Sequence, residues 1–238
     1  MREILFRGKD VKHCKNCKNF MHINSTQHIC DEFGGYAVML SIKPKWCELI
    51  ASGRKTIEVR KSRPKLEVPF KCYIYCTKST GSDFLWVLNE IGRAKFAGKT
   101  SKIADVFGAK DVGGGYKGNG KVIGEFVCDR VDTYDDDTIH AFSHEDYTRW
   151  NDYDLYQSCI HPEDFEEYAA DEWLYGWHIS KLVIYDEPRE LSEFLRINRE
   201  CWYADLGLAK RDCPECKNAE CFVSRPPQSW CYVEEVGE

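Results

Sequence analysis

The sequence predicts an α+β protein, in which a compact β-barrel carries short flanking helices and lies between two cysteine-rich termini. Three observations lead to this prediction. Most patterned segments between residues 36 and 198 alternate with the two-residue period of strands, and the helical segments among them are short. Hydrophobic residues make up 43% of the 238 residues and aromatic residues 13%, which is enough for one packed core.

The first elements are predicted between residues 36 and 77. Residues 36–42, YAVMLSI, are typical of a buried strand. Residues 43–53, KPKWCELIASG, space their apolar side chains as a helix does and end on a glycine, which commonly terminates helices. Two more strands are predicted at residues 56–62, TIEVRKS, and 71–77, KCYIYCT.

Residues 79–119 are predicted to be a basic insertion. Residues 84–94, FLWVLNEIGRA, are interpreted as a short helix, and a stretch rich in lysine and glycine follows them. This stretch is either a solvated loop or a flap that closes on phosphate groups. Its run of three glycines lacks the spacing of a phosphate-binding loop, so the sequence does not indicate a P-loop enzyme.

The second half of the domain is predicted to form two long strands separated by an acidic segment. The strands are residues 121–134 and 176–188, and a short helical turn follows at residues 191–197. Residues 162–173 begin with a proline and two acids, which is typical of a helix N-terminus. The aromatic and acidic residues before them indicate a solvated helix and loop, or a surface that mimics nucleic acid towards a basic partner.

The expected domain organisation is a central domain at residues 36–198 between extensions at 1–35 and 199–238, and charge is uneven along it. Residues 1–130 hold 24 lysines and arginines against 13 acids, whereas residues 132–172 hold one arginine against 14 acids. The overall net charge of −6 therefore hides a basic half. A locally positive surface attracts polyanions such as nucleic acid.

The sequence carries no signal of a secreted or membrane protein. Its first residues contain no apolar run of signal-peptide length, and no apolar stretch is long enough to span a membrane. Thirteen cysteines without an export signal indicate reduced thiols in a cytoplasm, some of them metal ligands. Small buried side chains are expected at Cys47, Cys72, Cys76, Cys128 and Cys159.

Two cysteine clusters predict structural Zn²⁺. The C-terminal cluster comprises Cys213, Cys216, Cys221 and Cys231. A C-x-x-C pair and two further thiolates complete a tetrahedral zinc site, and Cys201 is a substitute ligand. Metal binding would supply folding free energy that so short and polar a segment lacks. The N-terminal cluster comprises Cys14, Cys17 and Cys30, with His28 as the first choice of fourth ligand and His22 as the second. Alternatively, the two C-x-x-C pairs share one metal.

The densest run of mixed charge is GRKTIEVRKSRPK at residues 53–65, in which six cations surround Glu58 alone. Strand alternation places Glu58 and Arg60 on one side, and Lys55, close to the glycine turn, is expected to point the same way. A carboxylate repels phosphate. Its presence among cations therefore indicates an acceptor for a base amino group, or a partner that fixes the cations, or simply a cross-strand pair with Arg60 or Arg54.

A cleft beside the first predicted helix would hold the ligand. Arg60 and Lys61 suit phosphate, and Trp46 offers a face on which a base could stack. A metal or catalytic role is not expected for the isolated histidines His140, His144 and His161. His178, also isolated in sequence, is the exception of interest, because it stands where the last barrel strand is expected to begin. The predicted ligand-binding residues are Ser41, Lys43, Trp46, Arg54, Lys55, Thr56, Glu58, Arg60, Lys61 and Trp177.

The order of these elements, with G-R-K-T-I-E-V-R after an amphipathic helix, resembles an ASCH domain of the PUA-like superfamily over about residues 37–195. The resemblance implies a small pseudobarrel with a cleft beside its first helix, and a link to RNA and modified-nucleoside binding. Two terminal segments, MREILFRGK and RPPQSWCYVEE, resemble phage YopX-type proteins and phage-encoded ASCH proteins respectively. They imply a phage or prophage origin and a bacterial host cytoplasm.

The predicted function is binding of RNA, single-stranded DNA or a modified nucleotide in the basic cleft. One alternative is an interaction module that binds a host protein. Another is an enzyme: acetylcytidine amidohydrolases of this family have a lysine where Lys55 stands and a threonine nucleophile three residues later, where this chain has Glu58. Glutamate cannot act as a hydroxyl nucleophile, so metal-independent RNA cleavage with Lys55 and Glu58 as the acid/base pair is favoured over amide hydrolysis.

Overall fold

The computed structural model describes residues 21–24, 27–29, 36–79, 84–96, 113–139, 152–196 and 222–236. The strands, in chain order, are β1 (Met21–Asn24), β2 (Gln27–Ile29), β3 (Tyr36–Ile42), β4 (Ile57–Arg60), β5 (Phe70–Cys76), β6 (Trp86–Leu88), β7 (Gly115–Lys117), β8 (Val122–Tyr134), β9 (Leu174–Arg189) and β10 (Trp230–Glu234). Six of them form one sheet in the order β10-β3-β5-β8-β9-β4. Within it β3 and β5 are parallel, and the other neighbours are antiparallel.

The helices are short, as the sequence predicts. They are α1 (Pro44–Ala51), α2 (Glu90–Phe96), α3 (Asp152–Ser158) and α4 (Pro162–Ala169), and a single 3₁₀ turn follows β9 at Leu191–Glu193. Proline at the first position of α1 and α4 explains where both helices begin, because its fixed φ suits the first turn and its missing N–H is not needed there. The mixed content of sheet and short helices confirms the predicted α+β class.

The helix predicted at residues 84–94 is only partly correct. Its first half is β6, which pairs with β7, and its second half is α2. Gly115, the first residue of β7, permits this close pairing, since a Cβ there would lie only 2.3 Å from the Val87 carbonyl oxygen. Close strand packing therefore accounts for this glycine, and the rest of the predicted phosphate flap, residues 97–112, lies outside the described residues.

The side chains of β3 and β5 alternate between two cores. The inner core lies on the face that carries α1; its buried residues include Val38, Leu40, Ile42, Cys47, Ile50, Cys72, Ile74, Cys76 and Trp177. The outer core, on the opposite face, includes Ala37, Met39, Tyr73, Tyr75, Phe194, Val223 and Cys231. A third core forms where Ile57 and Val59 of β4 pack with α3, α4 and the start of β9. The other side chains of β4 are thereby directed towards the inner core.

The C-terminal residues complete the sheet. β10 pairs antiparallel with β3, from Trp230 opposite Leu40 to Glu234 opposite Tyr36. The boundary predicted at residue 198 therefore does not mark the end of the sheet. Pairing with β10 satisfies backbone groups that an edge strand β3 would otherwise expose.

The two edges of the sheet approach each other, which gives the molecule the predicted pseudobarrel form. The Trp230 indole N–H donates to the Ser62 hydroxyl at 3.0 Å, and the Lys65 backbone N–H donates to the Tyr232 hydroxyl at 2.8 Å. These contacts join the residues after β4 to β10, the strand at the far edge. No helix in the described ranges is long and apolar enough to cross a membrane.

Candidate ligand-binding site

The end of α1 positions Lys55. Gly53 adopts a left-handed φ of 73°, and its N–H donates to the Ile50 carbonyl at 2.8 Å while the Arg54 N–H donates to Leu49 at 2.9 Å. This pair of bonds is the Schellman motif, which satisfies the last carbonyls of a helix and reverses the chain. The Lys55 N–H also donates to the Leu49 carbonyl, at 2.9 Å, so Lys55 is held directly beneath the helix.

The Lys55 side chain is almost completely buried, with the residue 2% exposed. Its ammonium donates to the Ser158 carbonyl at the C-terminal end of α3 at 2.6 Å, and it lies 3.4 Å from a Glu58 carboxylate oxygen. The Trp46 ring centroid is 5.0 Å from the same nitrogen, within range of a cation–π contact. Burial lowers the pKa of Lys55, and the Glu58 carboxylate opposes that change by favouring the charged form.

Glu58 lies between two cations. Arg60 Nη2 is 2.8 Å from Glu58 Oε1 and also donates to the Ser41 carbonyl at 2.9 Å, while Nη1 reaches the Ser229 hydroxyl at 3.4 Å. Glu58 is 5% exposed and Arg60 is 8% exposed. We call Lys55, Glu58 and Arg60 the charged cluster. With both bases protonated, it holds two buried positive charges against one negative charge.

Two buried donors at this site have no acceptor among the described residues: Arg60 Nε and Trp177 Nε1. Trp177 lies directly opposite Glu58 in the β4–β9 pairing, so both side chains are on the same face of the sheet. The Trp177 ring is fully buried, with Phe70 at 5.6 Å and Trp230 at 6.1 Å between ring centroids. Packing therefore occupies the ring that the sequence assigned to ligand binding, and no exposed face is left for a base to stack on.

Exposed cations and aromatic rings surround the charged cluster. Lys45 Nζ lies 4.5 Å from the centroid of the half-buried Trp46 ring, on the surface of α1. Lys61 Nζ lies 5.7 Å from the ring of Tyr168, which is 41% exposed, and 3.4 Å from a Glu172 oxygen. We call these residues the rim; it comprises Lys45, Trp46, Lys61 and Tyr168, with the exposed Lys43 beside them.

Three predicted residues are directed elsewhere. Thr56 donates its hydroxyl to Gln157 of α3 at 2.8 Å, and Arg54 is exposed, with its Nε 3.3 Å from the Ser52 hydroxyl. The Ser41 hydroxyl donates to the Pro227 carbonyl at 2.7 Å, so only the backbone of Ser41 contacts the charged cluster. The cluster is therefore smaller than the predicted set, and α1, β4 and α3 build it.

Sequence reasoning missed Ser158 and Ser229. They lie 103 and 169 residues from the cations they contact, so no local pattern joins them. The acidic segment was predicted to be solvated, yet Leu155 and Ser158 of α3 are buried. Their spacing of three residues was a weak signal that one face of this helix packs inward.

The predicted zinc ligands fall mostly outside the described residues, namely Cys14, Cys17, Cys30, Cys213, Cys216 and Cys221. The backbone of His28 is described in β2, but its side chain is not. Cys231 lies in the outer core, where burial raises its pKa to about 11. In the part of the chain that the structure describes, no three potential ligands are grouped to hold a metal.

Most of the other cysteines are buried as predicted: Cys47, Cys72, Cys76 and Cys128. Cys159 is the exception, because it is only partly buried and adopts a left-handed φ of 56°. Its thiol donates to the Arg54 carbonyl at 3.4 Å, which ties the end of α3 to the turn before Lys55.

The curled mixed sheet, with a charged cluster beneath its first helix, defines an α+β protein of the PUA-like class. The family model of the ASCH domain matches residues 40–194, and the chain belongs to that family. Three solved structures are similar in fold. They are ASCH from Zymomonas mobilis (14% identity, 83% of this chain and 87% of that chain, TM-score 0.40), a tyrosine-to-phenylalanine variant of it (14%, 83% and 90%, 0.39) and a serine-to-alanine variant (15%, 83% and 88%, 0.40). The curated proteins include no match.

Proposed function

We propose that this ASCH domain binds a nucleic acid or nucleotide, either RNA or single-stranded DNA, at the charged cluster and its rim. The observation that carries the proposal is the burial of two bases, Lys55 and Arg60, around the single Glu58 carboxylate. Burying an uncompensated charge is unfavourable, and such groups occur mainly where a ligand or a catalytic step uses them.

The donors of the site favour the same kind of ligand. Besides its excess charge, the site offers two buried N–H groups without acceptors among the described residues, on Arg60 and Trp177. An anion rich in acceptor oxygens complements both features, and a phosphate group is the commonest such anion in biology that arginine recognises. Glu58 would keep Lys55 and Arg60 in place and would disfavour ligands that present only negative charge.

The rim suits a single strand better than a duplex. Lys45 stands by Trp46 and Lys61 by Tyr168, so cations alternate with aromatic faces around the cluster. Bases of a single strand stack on such rings while lysines contact the backbone phosphates, and neither contact requires a particular sequence.

Fluorescence anisotropy with short single-stranded RNA, single-stranded DNA and free nucleotides, at two salt concentrations, tests the proposal. Wild-type protein is expected to bind at least one of them more weakly as salt rises. Lys45→Gln and Lys61→Gln should each reduce the steepness of that salt dependence by about 0.7 per lost phosphate contact on a single strand.

Lys181→Gln is the matched control, since Lys181 is an exposed lysine of β9 outside the rim. It should bind as wild type does. Absence of binding to every ligand at low salt would refute the function. Equal losses in the rim variants and in the control would instead show a non-specific effect of positive charge.

One observation favours catalysis as a second candidate. Lys55 has a lowered pKa and lies 3.4 Å from Glu58, an arrangement suited to general acid/base cleavage of RNA. Labelled RNA and acetylcytidine should each be incubated with wild type, Lys55→Met and Glu58→Gln. Cleavage of RNA by wild type alone would support a ribonuclease, and loss of the acetyl group an amidohydrolase. Equal inertness of all three proteins, with binding retained by wild type, would leave recognition as the only role.

We also propose a structural Zn²⁺ held by the C-terminal thiols Cys213, Cys216 and Cys221 in a reducing cytoplasm. A zinc-bound thiol must be deprotonated, and the charge of the bound ion itself stabilises the thiolate. The fourth ligand is therefore Cys231, with Cys201 as the substitute. Metal analysis should show less zinc in Cys213→Ser than in wild type, and a comparison of Cys231→Val with Cys201→Ser identifies the fourth ligand. Metal-free wild-type protein would refute the site.

A further inference from the structure

A pocket of about 420 Å³ lies beside the end of β5. Tyr75 and Thr77 line it from the sheet, Ser192 from the 3₁₀ turn and Ser224 from the segment before β10. The Val223 backbone N–H donates to the Phe194 carbonyl at 2.9 Å, which joins the two covering segments to each other. The pocket is therefore built from elements at three places in the chain.

The pocket is separate from the charged cluster. Tyr75 belongs to the outer core, whereas its neighbours Ile74 and Cys76 belong to the inner core together with Trp177. Because successive side chains of a strand point to opposite faces, the pocket and the cluster lie on opposite sides of the sheet.

Four hydroxyl groups line the pocket without hydrogen bonds to any described residue; they belong to Tyr75, Thr77, Ser192 and Ser224. Tyr75 is held most firmly of the four, because its ring packs in the outer core and the residue is only 1% exposed. Its hydroxyl opens into the pocket and has no hydrogen bond to a described residue, so it is available to a ligand. Burial raises the pKa of Tyr75, which keeps the hydroxyl protonated and able to donate at neutral pH.

The charges of the pocket are unequal. The Glu190 carboxylate is compensated, because it pairs with Lys121 and also accepts the backbone N–H of Glu193 in a capping box. Lys78 is exposed and has no ion-pair partner among the described residues. Its stem lies against Gly120, since a Cβ there would be 3.2 Å from the lysine side chain. As far as the described residues go, Lys78 therefore contributes one uncompensated positive charge at the mouth.

We propose that this pocket binds a phosphomonoester of about the size of a sugar phosphate, with the phosphate at Lys78 and oxygen atoms of the ligand on the Tyr75, Thr77 and serine hydroxyls. Donor hydroxyls and one free ammonium complement an anion with many acceptor oxygens. A volume of about 420 Å³ is within the range of small-molecule sites and exceeds what inorganic phosphate alone would fill. The inference does not depend on nucleic-acid binding at the charged cluster.

Isothermal titration with ribose 5-phosphate, glucose 6-phosphate and glycerol 3-phosphate, and with ribose and inorganic phosphate as fragments, tests the inference. At least one phosphomonoester should bind wild type about tenfold more tightly than either fragment. Lys78→Gln, at an exposed position, should weaken that binding about tenfold, as loss of a charge-assisted hydrogen bond does. Tyr75→Phe, which keeps the ring, should weaken it about threefold, as loss of a neutral hydrogen bond does.

Lys55→Met, which alters the other site, should bind the phosphomonoester as wild type does. Three outcomes would overturn the inference: no binding of any of the three esters, affinity for inorganic phosphate equal to that for the esters, or undiminished binding in both Tyr75→Phe and Lys78→Gln. Weaker binding in Lys55→Met than in Tyr75→Phe would place the ligand at the charged cluster and would equally overturn it.

Discussion

Among the described residues, two groups combine one carboxylate with two nitrogen bases, and they differ mainly in burial. In the charged cluster, Glu58 pairs with Lys55 and Arg60, and none of the three side chains is more than 10% exposed. On the neighbouring strands, Asp132 lies 2.6 Å from His178 Nε2 and 3.0 Å from Arg130 Nη2. There Asp132 is 29% exposed and Arg130 is 60% exposed.

The difference shows why composition alone does not identify a site. Water and salt screen the Asp132 group, so its charges stabilise each other only slightly. The charged cluster has lost most of that screening, and its excess charge has a large free-energy consequence. The same residue types can thus form an ordinary surface network or a binding site, and burial decides between them.

The largest expected effect is on Glu58. Glu58→Gln leaves Lys55 and Arg60 buried together without a counter-charge, and removing one partner of a buried ion pair typically costs about 3–5 kcal/mol. Urea denaturation should show a loss of free energy of unfolding in that range. A loss as small as that of an exposed pair would mean that water reaches the cluster, and the contrast between the two groups would disappear.

Lys55→Met should change how stability depends on pH. Folding lowers the pKa of Lys55 below its unfolded value of 10.5, so between the folded and unfolded pKa values the unfolded state binds more protons. The stability of wild type relative to Lys55→Met should therefore rise as pH increases through the folded pKa towards 10.5. Both proteins share the titrations of tyrosine and cysteine, which cancel in the difference. A flat difference from pH 7 to 10.5 would show that Lys55 is well solvated.

Asp132→Asn should have a smaller effect, at most about 1 kcal/mol, because its partners are partly exposed. The difference from wild type should shrink further in about 1 M salt, where the Debye length is only about 3 Å. Chemical denaturation at low and high salt measures both the loss of stability and its dependence on salt. An effect that does not respond to salt would show that this group is less solvated than its exposure indicates.

The smallest effect is expected for Ser229→Ala. Its contact with Arg60 Nη1 is 3.4 Å long, at the weak end of hydrogen-bond geometry. The change should lower stability by less than about 0.5 kcal/mol. If it also leaves ligand binding unchanged, the C-terminal segment frames the charged cluster without contributing to it.

Much of the fold was predictable because its signals are local. A buried apolar run identified β3, alternation identified β4 and β8, and Gly53 identified the end of α1. The helix predicted at residue 84 was partly wrong because β7 supplies a strand partner that no local pattern indicates. Pairing with a strand distant in sequence therefore determined the secondary structure of that segment.

The site was predictable in part for the same reason. The positions of Lys55, Glu58 and Arg60 follow from one turn and one strand, and the sequence grouped them correctly. The sequence also predicted isolation for His178, which the fold brings to Asp132, 46 residues away. It also assigned Trp177 to the ligand; the fold packs that ring between two others and leaves its indole N–H without an acceptor among the described residues. Whether a side chain is buried depends on the whole sheet, so no short segment of the sequence predicts it.

The position of β10 has a consequence for how the protein is made. Ser41 at the end of β3 contacts Pro227 just before β10, and the two are 186 residues apart in the chain. A ribosome therefore completes almost the whole domain before the strand that covers β3 exists. During that interval β3 is an unpaired edge beside apolar residues, the kind of surface that promotes aggregation of nascent chains. Synthesis that stalls shortly before residue 230 should therefore yield a product that needs chaperones, even though the whole segment matched by the family model, residues 40–194, has been made.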